Sequence, residues 1–81
     1  MMARVTLLYF ASLRDAAGAA SETLETDAAD LAALYAQVRD RHGFALPVER
    51  LRVAVDGDFA RWADPVREGA EVAFIPPVSG G

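Results

Sequence analysis

The chain has 81 residues, 53% of them hydrophobic and 25% charged, which gives room for one domain with one core and lies far from the composition of disordered chains. A formal net charge of -4 argues against a nucleic-acid phosphate backbone or an anionic membrane as the principal partner. There is no cysteine, so disulfides and thiolate metal sites are excluded and apolar packing alone must hold the fold.

The first apolar run is too short to span a bilayer and follows no cleavable leader pattern, so a cytoplasmic protein is expected. Residues 4–10 (RVTLLYF) are rich in β-branched, aromatic and aliphatic side chains and read as a central strand. Residues 11–17 form a short helix stopped by Gly18, a residue suited to the left-handed conformation past a helix end. Residues 22–26 alternate polar and apolar side chains and predict a second strand, antiparallel to the first.

The clearest helix covers residues 28–42, with Leu31, Leu34, Tyr35 and Val38 on one stripe. Asp27 is its expected N-cap, Asp30 adds negative charge near the helix start, and Gly43 supplies the stop. Residues 51–55 alternate as a strand, Asp56-Gly57 suits a tight hairpin turn, and a short strand follows at residues 59–62. Residues 71–75 (EVAFI) are the last strand, closed by Pro76 and Pro77, which cannot donate to a ladder. These elements predict an α+β fold: a mixed sheet of about five strands packed on one main helix, with the first and last strands adjacent, central and parallel.

Residues 1–75 are read as the domain and residues 76–81 as a flexible C-terminal tail. A glycine pair at a chain end is usually passive, but here the proline pair stiffens the exit and the side chains shrink along Val78, Ser79, Gly80 and Gly81. Six extended residues reach about 20 Å, and Gly80 and Gly81 have no Cβ to block a narrow channel. The tail is shaped to carry the Gly81 carboxylate into a partner's active site. A carboxylate resists attack, but AMP transferred from ATP makes it a mixed anhydride; a sulfur nucleophile that displaces AMP leaves a thiocarboxylate on Gly81. The sulfur must come from outside, since the chain has none in cysteine.

The ending EGAEVAFIPPVSGG (residues 68–81) and the opening LYFASLRDAAG (residues 8–18) resemble the small subunit of molybdopterin synthase, the MoaD family, and the similarity extends over the whole chain. The resemblance implies the ubiquitin-like β-grasp fold. It also implies adenylation at Gly81 by an E1-like adenylyltransferase and conversion to the thiocarboxylate with a sulfur donor enzyme. Insertion into the large subunit, MoaE, as part of a heterotetramer would follow, with sulfur delivered to a cyclic pyranopterin precursor in molybdenum cofactor biosynthesis. No cofactor is bound permanently on this reading; ATP is consumed by the activating partner, and the chain alone turns over nothing. Phe10, Phe59 and Ile75 match positions that form an apolar contact patch in the family, and Arg14 is placed at its rim. The chain departs from many relatives at Asp56, where Asn is frequent, and from some at Ile75, where Phe occurs.

Three rival readings share parts of this evidence: a sulfur carrier for thiamine, cysteine or tRNA thiolation, a ubiquitin-like modifier joined to target lysines, and a passive interaction module. Trp62 and Tyr35 read as core aromatics. His42, the only histidine, reads as structural with no metal role. The carboxylates at 56, 58, 64, 68 and 71 fall largely in turns and offer no catalytic pair.

Overall fold

The computed structural model describes residues 2–77. Seven elements and one turn of 3-10 helix follow in the order β1 (Ala3–Tyr9), α1 (Ala11–Ala17), β2 (Ser21–Thr26), α2 (Leu31–His42), the 3-10 turn (Val48–Arg50), β3 (Arg52–Val55), β4 (Asp58–Ala60) and β5 (Glu71–Ile75). The five strands form one sheet in the order β2-β1-β5-β3-β4. β1 and β5 are parallel neighbours, with Thr6 opposite Glu71 and Tyr9 opposite Phe74, while β2, β3 and β4 pair antiparallel. This is the α+β mixed sheet expected from the pattern, with its two most apolar strands side by side.

One face of the sheet carries Val5, Leu7 and Tyr9 from β1, Val72 and Phe74 from β5 and Val53 from β3, each at most 2% exposed. Leu31, Leu34, Tyr35 and Val38 of α2 close over them. The helical stripe and the strand alternation thus meet in one core. The aromatic side chains interlock within it: Tyr35 meets Phe74 edge-on at 5.2 Å between centroids, and Trp62 stacks on Phe74 at 6.1 Å. Tyr35 is buried and Trp62 half-buried against the core, as read for both. Tyr35 also donates from its hydroxyl to the carbonyl of Leu46 at 2.6 Å.

The main helix starts three residues later than the sequence suggests. Asp30, and not Asp27, is its N-cap, with Oδ1 accepting from the Ala33 amide at 2.8 Å. The next free amides, Leu31 and Ala32, donate to the carbonyls of Asp64 and Trp62. Upstream, Thr26 Oγ1 accepts from the Ala28 amide at 3.0 Å and Asp27 accepts from the Gln37 side chain at 2.8 Å. Residues 27–30 are therefore committed to a side-chain-bonded turn, the competition that short polar residues offer to helix.

β4 is also shorter than expected, ending at Ala60. The chain turns at residues 61–64, where the Arg61 amide donates to Asp64 Oδ2 and the Asp64 amide to the Arg61 carbonyl. This turn supplies the carbonyls that cap α2. Asp56 and Gly57 have φ of 51° and 91°, the paired positive angles of a two-residue hairpin. No helix among the described residues is long and apolar enough to cross a membrane.

Candidate functional site: the sheet end where the tail begins

Because β1 and β5 run parallel, both deliver their C-terminal ends to the same edge of the molecule, and β3, antiparallel to β5, begins there. Phe10 lies one step past the Tyr9–Phe74 pair, and Ile75 one step past it on the neighbouring strand. Arg52 opens β3 opposite Ile75, and Phe59 of β4 pairs with Ala54 of β3. Topology thus gathers residues that stand 65 positions apart in the chain, and it does so where Pro76 and Pro77 leave the sheet.

The outer face of the sheet, opposite α2, is graded in polarity. At the far end the outward residues are Arg4 paired with Glu25, then Thr6 beside Thr23 and Glu71. Toward the tail they become Leu8, Ala73, Ala54 and Phe59 in one row across β1, β5, β3 and β4. Phe59 is 70% exposed and Phe10 46%, while Ile75 is partly buried and Arg14 is exposed on α1. Large apolar side chains left in water at the two sides of one apolar row mark a surface built to be covered. Phe10, Phe59 and Ile75 therefore flank one apolar strip, whereas Arg14 makes no ion pair among the described residues.

Local backbone helps to set Phe10 outward. Ala11 has φ of 51°, a left-handed conformation that costs a residue with a Cβ about 1–2 kcal/mol, and the chain reverses there into α1. The last described residues, Pro76 and Pro77, with Ile75, Glu49, Arg50, Leu51 and Arg52, line a shallow groove of about 250 Å³. Of the tail residues singled out by sequence, Pro76 is buried and Pro77 exposed; Val78, Ser79, Gly80 and Gly81 lie outside the described residues.

On the helix side of this same end lies a polar cluster that sequence reasoning missed. Glu22 Oε1 accepts from the Tyr9 hydroxyl and from His42 Nε2, both at 2.7 Å, and Oε2 faces Arg41 at 3.2 Å. An ionised carboxylate can only accept, so the His42 proton sits on Nε2. Burial alone would raise the Glu22 carboxyl, but the hydrogen bonds from Tyr9 and His42 and the charge of Arg41 outweigh it and hold the group below its ordinary value. Burial, reinforced by the bond to Glu22, pushes the Tyr9 hydroxyl far above the phenol range. Burial also raises Tyr35, with Arg39 opposing. The cluster ties β1, β2 and the end of α2 together directly behind the strand end that Phe10 follows. His42 is thus structural, as read, and its partner Glu22 gave no signal beyond its place on a polar position of β2. Among the described residues no group of three or more His, Cys, Asp or Glu gathers as a metal site.

A β-grasp domain with an apolar strip beside the point where Pro76 and Pro77 leave the sheet defines a class by its fold: the ubiquitin-like β-grasp proteins. The fold aligns over its full length with a ubiquitin of Caldiarchaeum subterraneum, covering 100% of both chains at a TM-score of 0.66 and 17% identity. The chain belongs to the ThiS family, whose model matches residues 7–81. It is 34% identical over 80 residues to the molybdopterin synthase sulfur carrier subunit of Escherichia coli, covering 95% of this chain and 99% of that one. To the corresponding subunit of Chlamydomonas reinhardtii it is 37% identical over 82 residues, covering 96% and 99%. The resemblance to the MoaD family drawn from the two end motifs therefore holds across the chain.

Proposed function

We propose that this chain is the sulfur-carrier subunit of a molybdopterin synthase, with the Gly81 carboxylate as its working group. The observation that carries the reading is the family match running through the last residue, Gly81, together with whole-length similarity to two sulfur carrier subunits.

The chemistry is as follows. A Gly81 carboxylate oxygen attacks the α-phosphorus of ATP in an E1-like adenylyltransferase, pyrophosphate departs, and an acyl adenylate remains. A persulfide or sulfide from a donor enzyme then attacks the acyl carbon and AMP leaves with its electron pair. Sulfide gives the thiocarboxylate on Gly81 directly; a persulfide gives an acyl disulfide, whose S–S bond a second thiol attacks, forming a disulfide with the donor sulfur and releasing the thiocarboxylate. Inserted into the large subunit, this group passes its sulfur to the pterin precursor, and water restores the carboxylate. The domain's task is presentation: the strip flanked by Phe10, Phe59 and Ile75 docks on the large subunit, and residues 76–81 thread the active site. The working complex is a heterotetramer in the cytoplasm.

A terminal acyl adenylate is a hazard to any nearby amine. All eight basic residues of this chain are arginines, whose guanidinium stays protonated and non-nucleophilic. No side-chain amine of the carrier can therefore capture its own activated end, which supports carriage over conjugation into chains of itself.

The test is molybdopterin formation in a reconstituted system of this chain, the large subunit, the activating enzyme, ATP, a sulfur donor and the pterin precursor. Deleting Gly81, or adding one alanine after it, is expected to abolish product while leaving the circular-dichroism spectrum and thermal midpoint unchanged. Retained synthesis by either variant would refute the reading.

A further inference from the structure

The apolar strip contains one charge that the fold leaves unanswered. Arg52 projects from β3 on the outer face, directly opposite Ile75 on β5. Its guanidinium lies over the ring of Phe59, 5.6 Å from the centroid. Arg4 and Arg41 are held by carboxylates; Arg52 makes no salt bridge or side-chain hydrogen bond among the described residues. The outward neighbours in the adjacent row are Ala54, Ala73 and Leu8, which offer it no acceptor, and Glu49, which lines the same groove as Arg52, forms no ion pair with it. Arg52 also separates two shallow grooves, one reaching Phe59 and Trp62 and the other reaching Pro76 and Pro77. Any partner that covers the strip and receives the tail must cover this guanidinium too.

Exposed, the guanidinium is hydrated and costs nothing. Covered by an apolar surface it would lose that hydration without return, and the penalty would exceed what the neighbouring apolar contacts contribute. The phenyl ring lies to one side of the guanidinium, and the N–H groups, which make no side-chain hydrogen bond among the described residues, remain able to bind a carboxylate through two parallel hydrogen bonds. A partner is therefore compatible with this face only if it brings an acceptor, and the acceptor that matches both charge and fork is a carboxylate.

We infer that Arg52 is a specificity-determining residue of the docking face, and that the large subunit covering the strip places an Asp or Glu side chain against its guanidinium. The inference rests on the proposed function for the identity of the partner. The pair would lie beside Ile75, the last strand residue before the prolines, so it would fix the tail's root in register with the partner's active site. It would also exclude partners whose matching surface is apolar or basic, the use of a buried charge as a discriminator.

The experiment is isothermal titration of the full-length chain into the large subunit encoded by the same organism, with wild type, Arg52→Lys, Arg52→Met and Arg52→Glu. Thermal midpoints of the free variants control for folding, which an exposed side chain should not disturb. Arg52→Met is expected to raise Kd at least about tenfold, Arg52→Lys less, and Arg52→Glu most. Kd of the wild type should rise with salt more steeply than that of Arg52→Met. Reversing one interfacial carboxylate of the large subunit to arginine should restore binding to Arg52→Glu. If Arg52→Met binds as tightly as wild type, the face asks only for apolar cover and the inference is overturned while the functional reading stands. If Arg52→Met weakens only the complex with the activating enzyme, the carboxylate belongs to that enzyme and the inference also fails. A wild-type chain that does not bind the large subunit at all overturns the functional reading, and this inference with it.

Discussion

Replacing Glu22 by alanine would test whether the cluster behind the docking strip holds the fold together. Tyr9 is 2% exposed and its hydroxyl donates to Glu22 at 2.7 Å, so the variant strands a phenol hydroxyl in the core. An unsatisfied buried donor costs about 1–3 kcal/mol. The bond from His42, whose side chain is 16% exposed, is lost as well and adds about 1 kcal/mol after water replaces part of it. The Arg41 contact is 60% exposed on the arginine side and contributes little. Glu22→Ala should therefore destabilise by about 2–4 kcal/mol, which in a domain of this size lowers the thermal midpoint by about 10–25 °C. Tyr9→Phe alone removes one net hydrogen bond, about 1 kcal/mol, and leaves an acceptor that water can reach. The double variant should be more stable than the sum of the two losses implies, by about 1 kcal/mol or more, because no hydroxyl is left without a partner. Urea unfolding followed by circular dichroism measures all three. Additive losses, within about 0.5 kcal/mol, would show that Tyr9 and Glu22 do not depend on each other and would refute the argument.

Other expectations follow from the same structure. The Glu22 carboxyl is lowered from 4.5, so its stabilising contribution is present above that value and is lost as pH falls through the lower folded value; Glu22→Gln should flatten the acid limb of a stability-versus-pH curve. Both tyrosines are raised from 10.0, so the folded chain favours them neutral and loses stability as pH rises beyond 10.0. Phenolate absorbance should then appear together with the loss of circular dichroism; a reversible titration near pH 10 in the intact fold would contradict their burial. Asp30→Ala removes the cap on the Ala33 amide and should cost about 1 kcal/mol in chemical unfolding, whereas Asp27→Ala should cost less because that carboxylate caps no helix amide. Phe59→Asp places a charge at a 70% exposed position; it should leave the thermal midpoint within a few degrees and abolish pull-down of the large subunit.

The end of α1 at Gly18, the end of α2 at Gly43 and the hairpin at Asp56-Gly57 are legible in sequence because each needs a positive φ that glycine provides without strain, 77°, 72° and 91° here. The parallel pairing of β1 with β5 was legible because both strands are apolar on successive residues, a pattern that only a covered central strand tolerates. The start of α2 was not. Asp27 and Asp30 are equivalent caps in a local pattern, and the choice falls to Asp30 because carbonyls of Asp64 and Trp62, 30 or more positions away, meet the amides of Leu31 and Ala32. The Tyr9–Glu22–His42 cluster was illegible for a similar reason: three residues on β1, β2 and α2 show no common spacing, and only the packing of helix on sheet brings them within hydrogen-bond distance. Arg52 shows the opposite limit. Its outward position follows from strand alternation, but its lack of an ion pair among the described residues depends on which residues the neighbouring strands set beside it.

The central claim concerns the last carbon of the chain, and intact-mass spectrometry reads it directly. Incubated with an E1-like adenylyltransferase, ATP and a sulfur donor, the full-length chain is expected to gain the mass of one oxygen replaced by one sulfur, with the change confined to the peptide ending in Gly81 and absent when ATP is omitted. An unchanged mass with an adenylyltransferase proven active on a known carrier, or sulfur found elsewhere in the chain, would contradict the account.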